Sequence, residues 1–358
     1  MTLKLTPVWS QKYLKDGFAP VCKFSKDPRD SVVAAGFGDG KMLIYDYEKA
    51  TEHEIGTHLF SVNDLDWSNS YNYLLSGSDD TLACIHDLNI ASTGSDDSEV
   101  YQRELDRNIE IDKSLVRVFK AHTHHVTSVA FDSGSSLVLT GSVDRISYLW
   151  DIRSSHYIHK IEDHAVEIYG VDISQDGLLI LTAGCDGYVR LWETRTGLCL
   201  KTIKVDLTLK IGKCFFTPDS KAIIANNVDK CISAYDIENS MLIKRFEGHK
   251  IHSGYYLKHC IHYDNDDIYI LSGGEDGCLY GWDIEDSNPV FKANILKSSR
   301  QLDLPHHKID SQVEVEIPGE DDTSQAIITC VDSSKEKQLI SCVDSFRNIH
   351  VSKLASDI

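Results

Sequence analysis

The sequence predicts an all-β fold in which seven small sheets close into a ring, a seven-bladed β-propeller. Three observations predict it: short apolar runs with alternating residues, tight turns that leave no room for helices, and repetition of the whole pattern. The clearest unit is residues 121–151, AHTHHVTSVAFDSGSSLVLTGSVDRISYLWD, which contains the runs VTSVAF, SLVLTGS and ISYLWD. Such a unit is expected to form a small antiparallel sheet.

The unit recurs with a regular spacing. Aligned on the residue that ends the third strand, the seven units end at Asp46, Asp87, Asp151, Glu193, Asp236, Asp283 and Ser352. Four of the six steps are 41 to 47 residues long, and a propeller blade typically repeats at ~40–45 residues. The other two steps contain an acidic insert at 92–113, in blade two, and a polar insert at 298–324, before the core of blade seven. We therefore predict a single domain over 1–358 with two surface inserts.

Turns and the first residues complete the predicted ring. In every unit a short polar turn joins the second and third strands, as in GDGK at 38–41, SVDR at 142–145 and EDGC at 275–278. Asp-Gly and Asp-polar pairs tolerate the positive φ that such hairpins need. The run LKLTPVW at 3–9 has no partner in blade one. We expect it to pair outside the last blade and to remove the free edges of the ring.

Composition limits the classes of partner and compartment. The chain has 36 basic and 55 acidic side chains and a formal net charge of −19, which disfavours direct, sequence-specific nucleic-acid binding and favours a basic partner. No apolar run approaches the ~20 residues of a membrane span, and the start has no signal-peptide core. Ten cysteines are scattered singly without a CxxC pair, which is typical of a reducing compartment, cytosol or nucleus.

No enzyme, metal or cofactor is predicted. The HTHH run at 122–125 is extended, so alternate side chains point apart, and no Cys or carboxylate cluster completes a tetrahedral set. The GFGDGK run at 36–41 lies between two strands and lacks the helix N-terminus that binds phosphate. No Ser-His-Asp or paired-carboxylate arrangement stands out. A propeller enzyme is therefore the least favoured hypothesis.

The chain resembles the WD-repeat β-propellers over essentially its whole length, through Trp150-Asp151, Trp192-Glu193, Trp282-Asp283, Gly248-His249 and Ala121-His122. In that family a His, a Ser or Thr, the turn Asp and the Trp form a buried hydrogen-bonded set. The resemblance implies such sets in blades three and six, made by His122, Thr140 or Ser142, Asp144 and Trp150, and by His249, Ser272, Asp276 and Trp282. Blades one, two, five and seven carry Tyr45, His86, Tyr235 and Val351 instead of Trp. We expect apolar packing to dominate there.

Within that family the segments 118–161, LTPVW and IHDL resemble the core WD-repeat subunits, of the yeast Swd type, of COMPASS/MLL-type histone H3 lysine-4 methyltransferase complexes. This resemblance implies a non-catalytic nuclear scaffold. The implied partners are the catalytic methyltransferase subunit, a second WD-repeat subunit and a histone H3 tail. A different class of function stays open: a WD-repeat substrate receptor or assembly factor in ubiquitin ligation or ribosome maturation. Mass spectrometry of bound partners separates the two.

The resemblance also implies two binding sites. In a relative, a partner's arginine enters the central opening between two Phe rings, near an Asp. These positions correspond to Asp64, Thr127 and His259. Without the two aromatic faces the guanidinium loses stacking of ~1–2 kcal/mol, so we expect a weaker arginine contact with Asp64. A second-partner rim falls on Asp219, Ala222 and Ala234.

Overall fold

The computed structural model describes residues 3–13, 18–27, 31–70, 72–88, 113–154, 156–205, 211–227, 231–249, 257–264, 267–285, 288–295, 327–334 and 337–356. Within these ranges the chain forms 28 β-strands, arranged in seven four-stranded antiparallel sheets. The all-β seven-bladed propeller predicted from the sequence is confirmed. The 298–324 insert, and all but the last residue of the 92–113 insert, lie outside the described residues.

The seven sheets are numbered as blades in chain order, and their strands run from the innermost to the outermost. Blades one to four contain β2 (Val21–Phe24), β3 (Val32–Gly36), β4 (Lys41–Asp46) and β5 (Thr51–Gly56); β6 (Val62–Trp67), β7 (Tyr73–Ser78), β8 (Ala83–Asp87) and β9 (Leu115–Phe119); β10 (Val126–Phe131), β11 (Leu137–Ser142), β12 (Ser147–Asp151) and β13 (Tyr157–Ile161); and β14 (Ile168–Ile173), β15 (Leu179–Gly184), β16 (Tyr188–Glu193) and β17 (Cys199–Lys204). Blades five to seven contain β18 (Ile211–Phe216), β19 (Ala222–Asn227), β20 (Cys231–Asp236) and β21 (Leu242–Phe246); β22 (His259–Asp264), β23 (Asp267–Gly273), β24 (Cys278–Asp283) and β25 (Phe291–Asn294); and β26 (Ile328–Ser334), β27 (Leu339–Asp344), β28 (Asn348–Ser356) and β1 (Leu3–Lys12).

The core lies between the faces of neighbouring blades. Apolar side chains of the first three strands of each blade are buried there, and Trp67, Trp150 and Trp282 are among the largest fully buried side chains. The outermost strands alternate less strictly and carry exposed residues, as in β17 and β21. Burial of both faces of the inner strands explains why their sequences read as nearly continuous apolar runs.

The hairpin turns have the predicted geometry. The residue after the turn aspartate has a positive φ in five blades: Gly40, Thr81, Arg145, Gly187 and Gly277. Glycine adopts this conformation without strain, whereas Thr81 and Arg145 occupy a region that side chains other than glycine rarely adopt. The Asp-Gly and Asp-polar pairs therefore place the turns correctly.

The first strand closes the ring. β1 pairs antiparallel with β28 in the sheet order β1-β28-β27-β26, with an irregularity between Pro7 and Trp9. This is the position that the sequence predicts for residues 3–9. Beyond β1, the Tyr13 ring stacks on Phe37 at 3.9 Å between centroids, and its hydroxyl donates to Asp39 at 3.2 Å. The N-terminal segment therefore joins blade seven to blade one.

Candidate functional site

The innermost strands surround a central channel that widens into a cavity at each end. We call the end where these strands begin the upper end and the end where they finish the lower end. The upper cavity has a volume of about 670 Å³ and is lined by Phe18, Pro20, Asn63, Asp79, His125, Thr127, Val143, Tyr169, Lys213, Leu257, Lys258, Ile327, Thr329 and Ser345. The lower cavity has a volume of about 620 Å³, and its charged lining residues are Lys23, Lys26, Asp27, Asp66, Asp132, Asp172 and Asp332. The two ends therefore differ in charge: each cavity has two lysines, but the upper one has a single aspartate and the lower one has five.

Asp64 on β6 lies between the two cavities and is fully buried. Its Oδ2 atom accepts hydrogen bonds from Ser128 Oγ and from the backbone N–H of Val129, both at 3.0 Å. Lys213 Nζ lies 2.6 Å from Oδ2, and Lys258 Nζ lies 2.8 Å from Oδ1. Burial alone would raise the pKa of Asp64, but the two ammonium groups hold it well below its usual range. The carboxylate is therefore charged and satisfied from within the chain.

This geometry corrects the arginine contact expected at Asp64. Both carboxylate oxygens are engaged by the chain's own lysines, and none of the residue's surface is exposed. Thr127 lines the upper cavity, and its hydroxyl donates to Ile168 O at 2.5 Å. His259 is buried in a recess toward the lower end, with its ring centroid 4.8 Å from that of Phe215. The three residues thus do not line one pocket.

The lysines that occupy this site were missed by sequence reasoning. Lys213 lies in the otherwise apolar run IGKCFF and Lys258 in LKHCIH, each near the start of an innermost strand. A lysine among apolar residues at similar places in two blades was the available signal. Asp64 could not be assigned as their partner because they follow it by 149 and 194 residues.

Three carboxylates at the lower end join neighbouring blades. Asp66 accepts the backbone N–H of Phe131 at 2.9 Å, Asp172 that of Phe216 at 2.8 Å, and Asp332 that of Phe24 at 2.8 Å. Lys26 pairs with Asp66 and Lys23 with Asp332, each at 3.0 Å. Burial raises the pKa of Asp172 to about 6, although its hydrogen bonds with backbone N–H groups act to lower it. These acids link neighbouring blades around the ring.

The hydrogen-bonded set expected in blade three is present. His122 Nδ1 lies 2.9 Å from Asp144 Oδ2, and His122 Nε2 lies 2.8 Å from Thr140 Oγ1. The Trp150 indole N–H donates to the same Thr140 oxygen at 3.0 Å. Burial would raise the pKa of Asp144, but the bond to His122 lowers it. Thr140, one of the two alternatives left open by the sequence, is therefore the hydroxyl in the set.

Blade two corrects one expectation. His58 Nδ1 lies 3.1 Å from Asp80, and His58 Nε2 lies 2.7 Å from Ser76 Oγ, so the set persists without Trp. The residue in the Trp position, His86, pairs instead with Ser114 at 3.2 Å. Blade two is thus held by polar contacts as well as by apolar packing.

Blade six corrects another expectation, because its set is rewired. Asp276 accepts from the Tyr280 hydroxyl at 2.6 Å and from Lys292 Nζ at 2.8 Å, and Trp282 donates to Glu247 O at 2.8 Å. Ser272 donates to the backbone oxygen of the next residue. Neither ring nitrogen of His249 has a partner among the described residues; the ring lies 5.2 Å from that of Trp282. Tyr280 and Lys292 have taken the place of the histidine.

Buried neutral histidines predict acid sensitivity. Burial lowers the pKa of His249 to about 4 and that of His259 to about 3, against about 6.5 in an unfolded chain. Because the folded-state values are depressed, the unfolded chain binds more protons between pH 6.5 and these values. The free energy of unfolding that each neutral buried histidine contributes is fully present above about pH 6.5. It decreases as the pH falls, by about 2 kcal/mol per histidine between pH 6.5 and 5.

Urea unfolding at pH 7.5 and pH 5 checks this prediction. The raised pKa of Asp172 acts in the opposite direction, so variants are compared with wild type at both values. In His249→Phe the free energy of unfolding should decrease less between pH 7.5 and pH 5 than in wild type. His53 is exposed, so His53→Gln should show the same decrease as wild type. Equal losses in wild type and His249→Phe would contradict the assignment of a neutral buried His249.

The three residues of the predicted second-partner rim differ in their exposure. Asp219 is exposed in the turn between β18 and β19, where it accepts from Thr217 Oγ1 at 2.6 Å. Ala222 begins β19 and is partly buried. Ala234 is 5% exposed and belongs to a core cluster with Ile224 and Trp282, so it is not available on a rim. Of these three residues, only Asp219 is exposed.

No group of three or more His, Cys, Asp or Glu side chains in the described part could hold a metal ion. No helix there is long and apolar enough to span a membrane.

Comparison with known proteins agrees with the repeat assignment. A family profile described as "WD domain, G-beta repeat" matches residues 50–87, 113–151, 155–193 and 240–283. Each match ends at a residue that closes a third strand, at 87, 151, 193 and 283. Over 293 residues the chain is 25% identical to COMPASS component SWD3 of Saccharomyces cerevisiae, spanning 78% of this chain and 84% of that protein.

Other similar proteins match shorter parts. Mitochondrial division protein 1 of the same yeast is 28% identical over 203 residues, which span 49% of this chain and 27% of that protein. A WD repeat domain-containing protein 83 homolog of Dictyostelium discoideum is 25% identical over 199 residues, 48% of this chain and 59% of that protein. The similarity to SWD3 therefore covers a larger share of both aligned proteins than either of these two similarities does.

Proposed function

We propose, on the premise that the chain is a seven-bladed WD-repeat β-propeller, that it is a non-catalytic scaffold subunit of a COMPASS-type histone H3 lysine-4 methyltransferase complex in the nucleus. The observation that carries the proposal is the similarity to COMPASS component SWD3, which spans 78% of this chain and 84% of that protein. It extends over 293 residues and therefore over far more than a single repeat.

The mechanism is preorganised binding. The ring holds its turns on seven hydrogen-bonded sheets, so little conformational freedom is lost on this side when a peptide binds. A segment of the catalytic subunit would enter the upper cavity. A second WD-repeat subunit would contact the lower rim near Asp219. A histone H3 tail is a further partner of the assembled complex.

Three acids of the described chain have structural partners. Asp64, Asp144 and Asp276 each have donors from the chain itself. Acids satisfied in this way are not poised to transfer protons to a substrate. We therefore assign the methyl-transfer chemistry to another subunit.

Affinity purification tests the proposed function. The tagged full chain, recovered from nuclear extract of its own cells, should bring down a catalytic subunit, a second WD-repeat subunit and histone H3 lysine-4 methyltransferase activity. Asp219→Lys should reduce recovery of the second WD-repeat subunit while the catalytic subunit is retained. Asp151→Lys, at the end of β12 in blade three and two blades away from Asp219, is the matched control.

The outcome that contradicts the proposal is specific. Recovery of ubiquitin-ligase or ribosome-maturation components without any methyltransferase subunit would replace the proposed function by the alternative scaffold class.

A further inference from the structure

The floor of the upper cavity carries more positive than negative charge. Lys213 Nζ donates to Asp64 and, at 3.0 Å, to Ser128 Oγ, while Lys258 Nζ donates to Asp64 and to the backbone oxygen of Asn63. An ammonium group has three N–H donors, so each lysine keeps one N–H beyond these bonds. Two ammonium groups therefore pair with a single carboxylate among the described residues, and Asp172, which lines the lower cavity, attracts Lys213 without forming an ion pair with it.

The other titratable groups of the cavity do not cancel this charge. Asp79 and His125 line the mouth and pair with each other at 2.9 Å. Asp79 also accepts from Asn63 Nδ2 at 2.6 Å. The side chains of Asp79 and His125 are 30% and 56% exposed, so water screens them. The lysine side chains are only 14% and 13% exposed and are screened much less.

Lys258 is a buried ammonium group beside a second one. Burial, as the main cause, lowers the pKa of Lys258, and the charge of Lys213 acts in the same direction against the opposing effect of Asp64. A second anion beside the two ammonium groups would oppose this shift and favour their charged forms.

The walls indicate what else the occupant must carry. Phe18, Pro20 and Ile327 present apolar surface around the lysines, and Phe18 is 51% exposed at the mouth. A small inorganic anion would leave this surface uncovered. A peptide with an acidic side chain between apolar residues would cover it and bring a carboxylate to the floor.

We propose that the upper cavity binds a glutamate or aspartate side chain of a partner peptide, held by Lys213 and Lys258 and flanked by apolar residues on the cavity walls. This inference rests on the proposed function, because it names the chemistry of the segment that the scaffold grips. It replaces an arginine by a carboxylate as the group that enters the ring.

A displayed library of random twelve-residue peptides, selected on the immobilised full chain, tests the proposal. Selected peptides should be enriched in Glu or Asp between apolar residues. In fluorescence anisotropy, replacing that Glu by Gln in a selected synthetic peptide should weaken binding about tenfold or more, because charge-assisted hydrogen bonds are lost.

Lys258→Met is the decisive variant. It removes the excess charge while Asp64 remains paired with Lys213, so the variant should fold, as checked by its urea unfolding curve. It should weaken the acidic peptide about tenfold, Lys258→Arg should restore most of the binding, and Lys26→Met at the lower cavity should change nothing.

Three outcomes would overturn the proposal: enrichment of Arg or Lys peptides, no selected peptide, or an acidic peptide that binds Lys258→Met as tightly as wild type. The proposed function fails separately, in the purification experiment. Absence of methyltransferase subunits together with Lys258-dependent binding of acidic peptides would reject the complex and support the carboxylate site.

Discussion

Replacing Asp64 by asparagine is expected to lower the free energy of unfolding by about 3–5 kcal/mol, because it leaves two buried ammonium groups without their counter-charge. The carboxylate is fully buried and lies within 2.8 Å of Lys213 Nζ and Lys258 Nζ. Equilibrium unfolding in urea, followed by tryptophan fluorescence, measures the change. Asp64 is thus expected to act on the stability of the ring and only indirectly on partner recovery.

Asp66→Asn is the matched control. Asp66 lies on the same strand and also accepts a backbone N–H from blade three, at 2.9 Å from Phe131 N. Its lysine partner, Lys26, is 38% exposed, so the loss should stay within about 1 kcal/mol. Replacing all three buried charges, by Asp64→Leu, Lys213→Met and Lys258→Met together, should recover much of the stability. Wild-type stability of Asp64→Asn with loss of partner binding would instead support a direct contact.

Removing residues 1–12 is expected to have a comparably large effect. β1 contributes nine paired residues to β28, and each backbone hydrogen bond contributes about 0.5–1.5 kcal/mol net. We expect stability to fall by several kcal/mol and the uncovered edge of β28 to promote self-association. Urea unfolding and light scattering coupled to size-exclusion chromatography measure the two effects.

Ser10→Ala distinguishes a side-chain contact of β1 from the backbone pairing of this strand. Ser10 Oγ lies 3.1 Å from His350 Nδ1, and His350 Nε2 lies 3.2 Å from Asp344. This polar network shows that blade seven, like blade two, does not rely on apolar packing alone. The substitution removes one bond and keeps the backbone pairing, so its loss should stay within about 1 kcal/mol. A truncated chain as stable and monomeric as wild type would contradict the sealing role of β1.

Local and repeated features of the fold could be predicted from the sequence. The apolar alternation and the turn aspartates repeat in every blade, and four of the six steps between the ends of the third strands are 41 to 47 residues long. A unit that departs from the pattern, such as the first with Tyr45 in place of Trp, can therefore be assigned by comparison with the other units. The positive φ at Gly40 follows from residue chemistry alone.

Contacts between distant residues could not be predicted in the same way. Asp64 meets lysines of blades five and six across the channel, and no local pattern specifies that pairing. Asp276 is satisfied by Tyr280 and Lys292 because these side chains lie on neighbouring strands, and a motif that names only the His, Ser, Asp and Trp overlooks them. The motif predicts which positions are buried, whereas the actual donors depend on the assembled neighbours.

Hydrogen exchange of the intact chain, read by mass spectrometry, tests the central claim that a sealed ring provides the binding surface. The account predicts that backbone amides of β1 exchange about as slowly as those of β28, with which they pair. Exchange of residues 3–12 at the rate of an unstructured peptide, beside a protected β28, would contradict it.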